Sequence, residues 1–281
     1  MPPVLSRRSA TGRRGRLLTI LAAAMVLIGA SSVSAAAHPQ APTGGSATVV
    51  LVHGAFADAS SWNGVVELLQ RQGHTVVAPG LPMRGLASDA AYVAGVVDQI
   101  EGPVLLVGHS YAGAVISNAA TTATNVVGLV YVSGYAPEEG ETVNDIAGAS
   151  RDSLLGPAIV QKQYPTGQGD ETATELFIDP AHFRAAFAAD LPARQAAAMA
   201  ATQRPVAAAA FDEPSGAPAW KTLPSWAVVG TGDKAAGADV VRANAERAGA
   251  HITELDGSHV VMISQPRAVT RVVLTALHAV G

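Results

Sequence analysis

Short apolar runs alternate with segments of helical spacing along most of this chain. The runs are rich in β-branched residues, end at glycine, proline or a polar residue, and resemble strands buried on both faces of a parallel sheet. Most are followed by a segment with apolar residues three or four positions apart. The pattern predicts strands at 48–52, 75–78, 104–107, 126–132, 226–229 and 251–255, and helices at 61–72, 90–100, 114–123, 238–248 and 267–280. It therefore indicates an α/β domain with a mostly parallel sheet flanked by helices.

The alternation stops between about residues 135 and 223. This segment contains eight prolines and short alanine-rich helical pieces, such as 194–201, and it lacks a convincing strand pattern. We predict a helical cap that is inserted into the sheet domain and closes a pocket, because lids over α/β sites commonly do so. A covering subdomain that only stabilises the core is the alternative.

The first 37 residues have the composition of an export signal. Five arginines precede an apolar stretch at 17–29 that is too short to span a bilayer, and small residues suited to cleavage follow it. We expect a signal peptide over 1–37, a flexible lead-in over 38–47 and the folded domain over 48–281. The mature protein is then secreted, and an uncleaved anchor is the alternative.

Composition narrows the chemistry further. The chain has no cysteine, which excludes a thiol nucleophile and disulfides. Its net charge of −4 becomes more negative once the arginine-rich leader is removed, so nucleic acids and anionic membranes are disfavoured as partners. No two histidines have the spacing of an H-E-x-x-H metal site. We therefore predict a small-molecule substrate, no metal, no cofactor, no nucleic-acid partner and no stable membrane insertion of the mature chain.

The segment Gly108–Gly113 follows a predicted strand and precedes a predicted helix. It reads G-H-S-Y-A-G, close to the G-x-S-x-G pattern of a nucleophile elbow, in which a strained turn exposes a serine hydroxyl. The turn needs small residues on both sides of the serine because the following helix packs hard against the strand. Gly108 and Ala112 meet this need, although Ala112 departs from the strict glycine by one methyl group. We predict that Ser110 is a nucleophile for acyl transfer.

A serine hydroxyl becomes a strong nucleophile beside a base, and the base works best when an acid orients it. His259 follows the predicted strand at 251–255 and precedes the last helix. Asp233 follows a strand that runs into a glycine turn, which places it at the same sheet edge as Ser110. We predict His259 as the base and Asp233 as the acid. Asp256 is the alternative acid, but its place three residues before the histidine suits a turn residue better.

Acyl transfer also needs two N–H groups that bind the negative oxygen developing on the substrate. We predict that Tyr111 supplies one backbone N–H, because it directly follows the candidate nucleophile. The loop after the first strand supplies the other, from Ala55. His53 and His109 flank these two loops, and we expect both to be packing and hydrogen-bonding residues.

These residues together resemble the α/β-hydrolase superfamily, over nearly all of the chain beyond the leader. The likeness is closer to the branch that contains plant methylesterases and hydroxynitrile lyases, with bacterial esterases of the same build, and it rests on 50–55, Trp62, 73–74, 108–113, 257–259 and Met262. The resemblance implies Ser110 as nucleophile, Asp233 as acid and His259 as base, under a cap over an apolar pocket. It implies hydrolysis of carboxylic esters through an acyl-enzyme on Ser110.

Two other functions are compatible with the same fold. A hydroxynitrile lyase or a cofactor-free haloperoxidase using the same three residues is the second hypothesis, and a noncatalytic ligand-binding protein is the third. The lyases carry a threonine after the histidine of the first loop and a lysine beside the catalytic histidine. This chain has Gly54 and Val260 at those places, which favours ester hydrolysis.

Overall fold

The computed structural model describes residues 47–281, so the predicted signal peptide and nearly all of the lead-in lie outside the described residues. The strands are β1 (Thr48–Val52), β2 (Val76–Val77), β3 (Val104–His109), β4 (Val126–Val132), β5 (Ile159–Pro165), β6 (Thr172–Ile178), β7 (Val206–Ala207), β8 (Ser225–Gly230) and β9 (His251–Leu255). The α-helices are α1 (Asn63–Arg71), α2 (Leu86–Val97), α3 (Ala112–Ala119), α4 (Val143–Gly148), α5 (Leu155–Ala158), α6 (Pro180–Phe187), α7 (Ala193–Thr202), α8 (Ala209–Asp212), α9 (Ala238–Arg247), α10 (Val261–Ser264) and α11 (Pro266–Val280). Within 47–281, no helix combines the length and the hydropathy needed to span a bilayer.

Six strands form one parallel sheet in the order β2-β1-β3-β4-β8-β9. Every residue of β1, β3 and β8 is buried, because helices such as α3, α9 and α11 pack against the sheet. Burial on both faces explains why these strands are continuous apolar runs in the sequence. The prediction of a mostly parallel sheet flanked by helices is confirmed.

The parallel arrangement brings the carboxyl ends of the strands to one edge of the sheet. Val52 at the end of β1 pairs with Gly108 near the end of β3, and Gly230 at the end of β8 pairs with Leu255 at the end of β9. Ligands bind at this edge in open α/β sheets. The loops after β1, β3, β8 and β9 carry the residues that the sequence singled out.

The segment between β4 and β8 is not purely helical, and this part of the cap prediction is wrong. Besides α4 to α8, it contains a second, antiparallel sheet in the order β5-β6-β7. β5 and β6 form a hairpin around Gly167 and Gly169, which have φ values of 84° and 58°. β5 is exposed at most positions, so its polar residues hide the apolar periodicity of a buried strand. Two runs with β-branched residues around a glycine-rich loop were the available signal.

Candidate active site

Ser110 lies on the turn between β3 and α3 with a φ of 55°, a left-handed conformation that is uncommon for residues other than glycine. Its carbonyl oxygen holds the turn by accepting the N–H groups of Gly113 at 2.9 Å and Tyr135 at 3.1 Å. A Cβ at Gly108 would lie 2.6 Å from the carbonyl oxygen of Ala112, so only glycine fits there. Ser110 thus has the strained backbone of a nucleophile elbow.

The alanine at position 112 is accommodated because the tightest contact of the turn falls one residue later. Ala112 is fully buried with its methyl group in place. A Cβ at Gly113, in contrast, would overlap the backbone of Tyr135. The glycine that lets α3 approach the segment after β4 is therefore Gly113.

His259 and Asp233 form a buried hydrogen-bonded pair. The His259 Nδ1–H donates to Asp233 Oδ2 at 2.7 Å, and the two side chains are 1% and 0% exposed. Asp233 Oδ1 accepts the N–H groups of Ala235 at 2.9 Å and Ala236 at 3.1 Å. These bonds hold the carboxylate in one orientation, fix the ring proton on Nδ1 and leave the lone pair on Nε2. A histidine in this tautomer can take a proton from a hydroxyl group.

The alternative acid, Asp256, has no part in this pair. Its side chain is exposed, and its backbone carbonyl accepts a hydrogen bond from Gln265 Nε2 at 2.6 Å. His259 Nδ1 faces Asp233 instead. Among the two carboxylates considered from the sequence, only Asp233 is placed to orient the histidine.

Ser110 and His259 line the same cavity, which has a volume of about 420 Å³. Its buried part is mainly apolar and is formed by both the sheet domain and the segment between β4 and β8, through Ala55, Phe56, Leu176, Phe187 and Phe211. Polar residues at its exposed end include Asn144, whose Nδ2 donates to Asp212 Oδ1 at 2.6 Å. No lysine or arginine is among the lining residues.

Two backbone N–H groups beside this cavity are free. Neither Ala55 nor Tyr111 donates its N–H to another group within residues 47–281. The two are close together because a Cβ at Gly54 would lie 2.7 Å from both the His109 carbonyl oxygen and Ser110 Cβ, so the first loop packs directly on the elbow. Tyr111 also precedes α3, whose N-terminus favours negative charge. This arrangement can bind an oxyanion next to Ser110.

His53 and His109 hold the surrounding loops in place. His53 Nε2 accepts the Leu81 N–H at 2.9 Å and its Nδ1–H donates to the Gly54 carbonyl at 3.0 Å, while the His109 Nε2–H donates to the His259 carbonyl at 3.0 Å. Burial lowers the pKa of both imidazoles, which favours the neutral form of each ring. They are packing and hydrogen-bonding residues, as expected.

Asp190 is a residue of this region that the sequence did not reveal. Its carboxylate accepts hydrogen bonds from the N–H of Ser258, at 3.0 Å, and from the Ser258 hydroxyl, directly before His259. Burial alone would raise the pKa of Asp190, but the hydrogen bonds from the hydroxyl and the N–H of Ser258 outweigh it and lower that pKa below its ordinary value. Asp190 is a single aspartate in the loop between α6 and α7, and no motif or residue spacing in the sequence distinguishes it as a functional residue.

We expect Asp190 to make stability depend on pH. Because its pKa is lower in the folded chain, its contribution is present above the unfolded value of about 3.9 and is lost as the pH falls through the folded value. Asp190→Asn should lower Tm by about 2–4 °C at pH 7, and the difference should shrink below about pH 4. Thermal unfolding between pH 7 and 3 measures it, with Asp256→Asn as the exposed control. A difference independent of pH would contradict this role.

No cluster of three or more His, Asp or Glu side chains within the described range is arranged to hold a metal ion.

Known proteins with similar sequences or folds include hydrolases. A carbendazim hydrolyzing esterase from Nocardioides sp. (strain SG-4G) is 33% identical over 110 residues, which cover 34% of this chain and 46% of that protein, about half its length. The crystal structure of polyneuridine aldehyde esterase has a TM-score of 0.69 at 19% identity, over 83% of this chain and 99% of that one. A pyrethroid hydrolase from Sphingobium faniae JZ-2 has a TM-score of 0.67 at 21% identity, over 83% and 98%. At these identities the two structures show a shared fold.

The sequence profile of the alpha/beta hydrolase family matches residues 49–272, which span β1 to the middle of α11. The parallel sheet and the elbow after β3 agree with this match. The family inferred from the sequence motifs is confirmed: the chain belongs to the alpha/beta hydrolase family.

Proposed function

We propose that this protein is an exported serine hydrolase that cleaves carboxylic esters through an acyl-enzyme on Ser110. The observation that carries the proposal is the buried His259–Asp233 hydrogen bond next to the cavity lined by Ser110 and His259. The esterase and hydrolase names of the relatives support ester hydrolysis as the reaction class.

In the proposed reaction, Ser110 Oγ attacks the ester carbonyl carbon and its proton passes to His259 Nε2. Asp233 stabilises the resulting imidazolium, and the N–H groups of Ala55 and Tyr111 bind the oxyanion. The carbon–oxygen bond to the alcohol then breaks, and His259 returns the proton to the leaving alcohol. Water, activated by His259 in the same way, releases the acid and restores Ser110.

The pocket favours neutral esters with an apolar acyl or alcohol group. Its buried walls are apolar, and its exposed end carries the carboxylate of Asp212 with no cation among the lining residues. A negatively charged substrate would therefore be repelled by the Asp212 carboxylate and would find no cationic side chain in the pocket to pair with. Because Asp212 is exposed, we expect the discrimination to be modest.

The first loop supports hydrolysis over cyanohydrin cleavage. A side chain at Gly54 would collide with His109 and Ser110, so the threonine that the lyases carry does not fit here. Val260, at the place of the lyase lysine, is fully buried and apolar. Neither of the two lyase groups has an equivalent beside the cavity.

A panel of p-nitrophenyl esters, from acetate to octanoate, tests the proposed function on the mature protein. We expect hydrolysis of the neutral esters, and a kcat/KM about two- to fivefold lower for a hemisuccinate ester of similar size. Asp212→Asn should remove most of that difference. Cleavage of cyanohydrins, or halide oxidation with peroxide, in the absence of any ester hydrolysis would favour the alternative activities.

Export makes a separate prediction about the N-terminus. The arginine-rich leader, its short apolar stretch and its small residues predict that the mature chain begins between Ala36 and His38. N-terminal sequencing of protein from the culture supernatant measures this directly. Material that begins at Met1 and sediments with membranes would instead indicate an anchor.

A further inference from the structure

A phenol and a carboxylate form a buried pair that the proposed reaction does not use. The Tyr111 hydroxyl donates to Asp89 Oδ2 at 2.9 Å, and both residues are completely buried. The other carboxylate oxygen, Asp89 Oδ1, accepts the N–H of Met83 at 3.0 Å. A buried carboxylate without these donors would be costly, so the three groups hold each other in one arrangement.

The pair connects three segments of the chain. Tyr111 directly follows Ser110, Asp89 lies in the first turn of α2, and Met83 lies in the loop before α2 with a φ of 60°. The Met83 carbonyl accepts the N–H of Ala207 in β7 at 2.9 Å, which extends the connection into the second sheet. The Tyr111 ring also packs at 5.6 Å from the ring of Phe211, a residue that lines the cavity.

We propose that Asp89 and Tyr111 are positioning residues that fix the direction of the Tyr111 N–H toward the oxyanion. This inference rests on the proposed function, in which that N–H binds the negative oxygen. The amide belongs to the same residue as the anchored phenol. It is part of the peptide that joins Tyr111 to Ser110, and Ser110 has a strained φ of 55°, so the plane of this peptide needs an external restraint. Anchoring the side chain at its far end supplies that restraint, and a fixed donor stabilises charge best because it need not reorganise.

The proton stays on the tyrosine. Burial raises the pKa of the Tyr111 phenol, and the negative charge of Asp89 raises it further. Burial also raises the pKa of Asp89, partly offset by the hydrogen bonds from the Tyr111 hydroxyl and the Met83 N–H. The raised pKa of the phenol keeps its proton on Tyr111, whose hydroxyl is the donor in this bond.

Tyr111→Phe and Asp89→Asn test the proposal on p-nitrophenyl butyrate. The first removes one oxygen atom and keeps the ring against Phe211. The second keeps the shape of the side chain but places an NH₂ group, in place of an acceptor oxygen, opposite the phenol, because the single oxygen of asparagine stays on the Met83 N–H. We expect kcat to fall about 10- to 100-fold in Tyr111→Phe, a part of what loss of a whole oxyanion donor costs, with KM changed by less than about twofold. The double variant should lose little more than Tyr111→Phe alone, because both substitutions break one unit.

A trifluoromethyl ketone provides a readout that a purely structural role would not move. Ser110 Oγ bonds to its carbonyl carbon, the hydroxyl proton passes to His259, and the carbonyl oxygen becomes an oxyanion. The affinity of the Tyr111→Phe protein for this ketone should fall by about the same factor as its kcat/KM. Tyr131→Phe is the matched control, since the Tyr131 hydroxyl is also buried but bonds the Ser117 hydroxyl at 2.8 Å and makes no bond to Tyr111 or Asp89. This control should lose stability but keep its kcat and its affinity for the ketone.

The outcomes separate the positioning role from the proposed function. Wild-type kcat and ketone affinity in Tyr111→Phe, or losses no larger than those of Tyr131→Phe, would overturn the positioning role alone, provided that the wild type hydrolyses the ester and a fluorophosphonate labels Ser110. A wild-type protein that shows neither hydrolysis nor labelling would overturn the proposed function and the positioning role with it.

Discussion

Replacing Ser110 with alanine should lower kcat for p-nitrophenyl esters by about 10⁶ while the protein stays folded. The other serine that lines the cavity, Ser153, is not placed to take the role. Its hydroxyl donates to the Ala235 carbonyl at 2.6 Å and accepts the Leu155 N–H at 3.1 Å. Stability should change little, because alanine and serine tolerate the left-handed backbone at this position about equally.

Ser153→Ala is the control for this experiment. It removes a hydroxyl from the same cavity and should retain most of the wild-type kcat. A fluorophosphonate should label one residue, Ser110, in the wild type and in Ser153→Ala, and should leave Ser110→Ala unlabelled. Near wild-type turnover by a folded Ser110→Ala protein, with Tm unchanged, would exclude the acyl-enzyme on this residue.

Most of the sheet was predictable because strands that are buried on both faces are continuous apolar runs in the sequence. β1 and β4, which are buried over nearly their whole length, begin and end at the predicted residues. So does β9, a mostly exposed edge strand, whose end is followed by Asp256 and Gly257. Parallel pairing then places the following loops at a common edge without further information. Residues after strand ends, such as Ser110 and His259, could therefore be grouped before their distances were known.

Elements held by distant partners were not predictable. α2 was expected to begin at residue 90, but it begins at Leu86, after a glycine that offers no side-chain cap. The acceptor is supplied from far along the chain, because Glu213 Oε2 accepts the Ala87 N–H at 2.9 Å. Asp89 and Asp190 were missed for the same reason, since the side chains that they bond are 22 and 68 residues away in the sequence. The local pattern of apolar and polar residues does not indicate such bonds.

Asp233→Asn should lower kcat by about 10³ to 10⁴ with little change in Tm. The geometry of the carboxylate gives the reason. Its Oδ1 accepts the backbone N–H groups of Ala235 and Ala236, so the single oxygen of an asparagine must occupy that place. The asparagine NH₂ group then faces His259 Nδ1, where the carboxylate oxygen now lies at 2.7 Å. A donor at this point forces the ring proton onto Nε2, and the lone pair that would accept the Ser110 proton is lost.

The matched substitution Asp256→Asn distinguishes this reason from a general effect of charge near the histidine. Asp256 is three residues from His259 in the chain, but it is exposed and does not bond the ring. Its replacement removes one negative charge from the same loop and should leave kcat within about twofold of the wild type. The rate of fluorophosphonate labelling of Ser110 should follow the same order, slow in Asp233→Asn and near wild type in Asp256→Asn. If the two variants give the reverse result, the acid is Asp256 and the buried pair is structural.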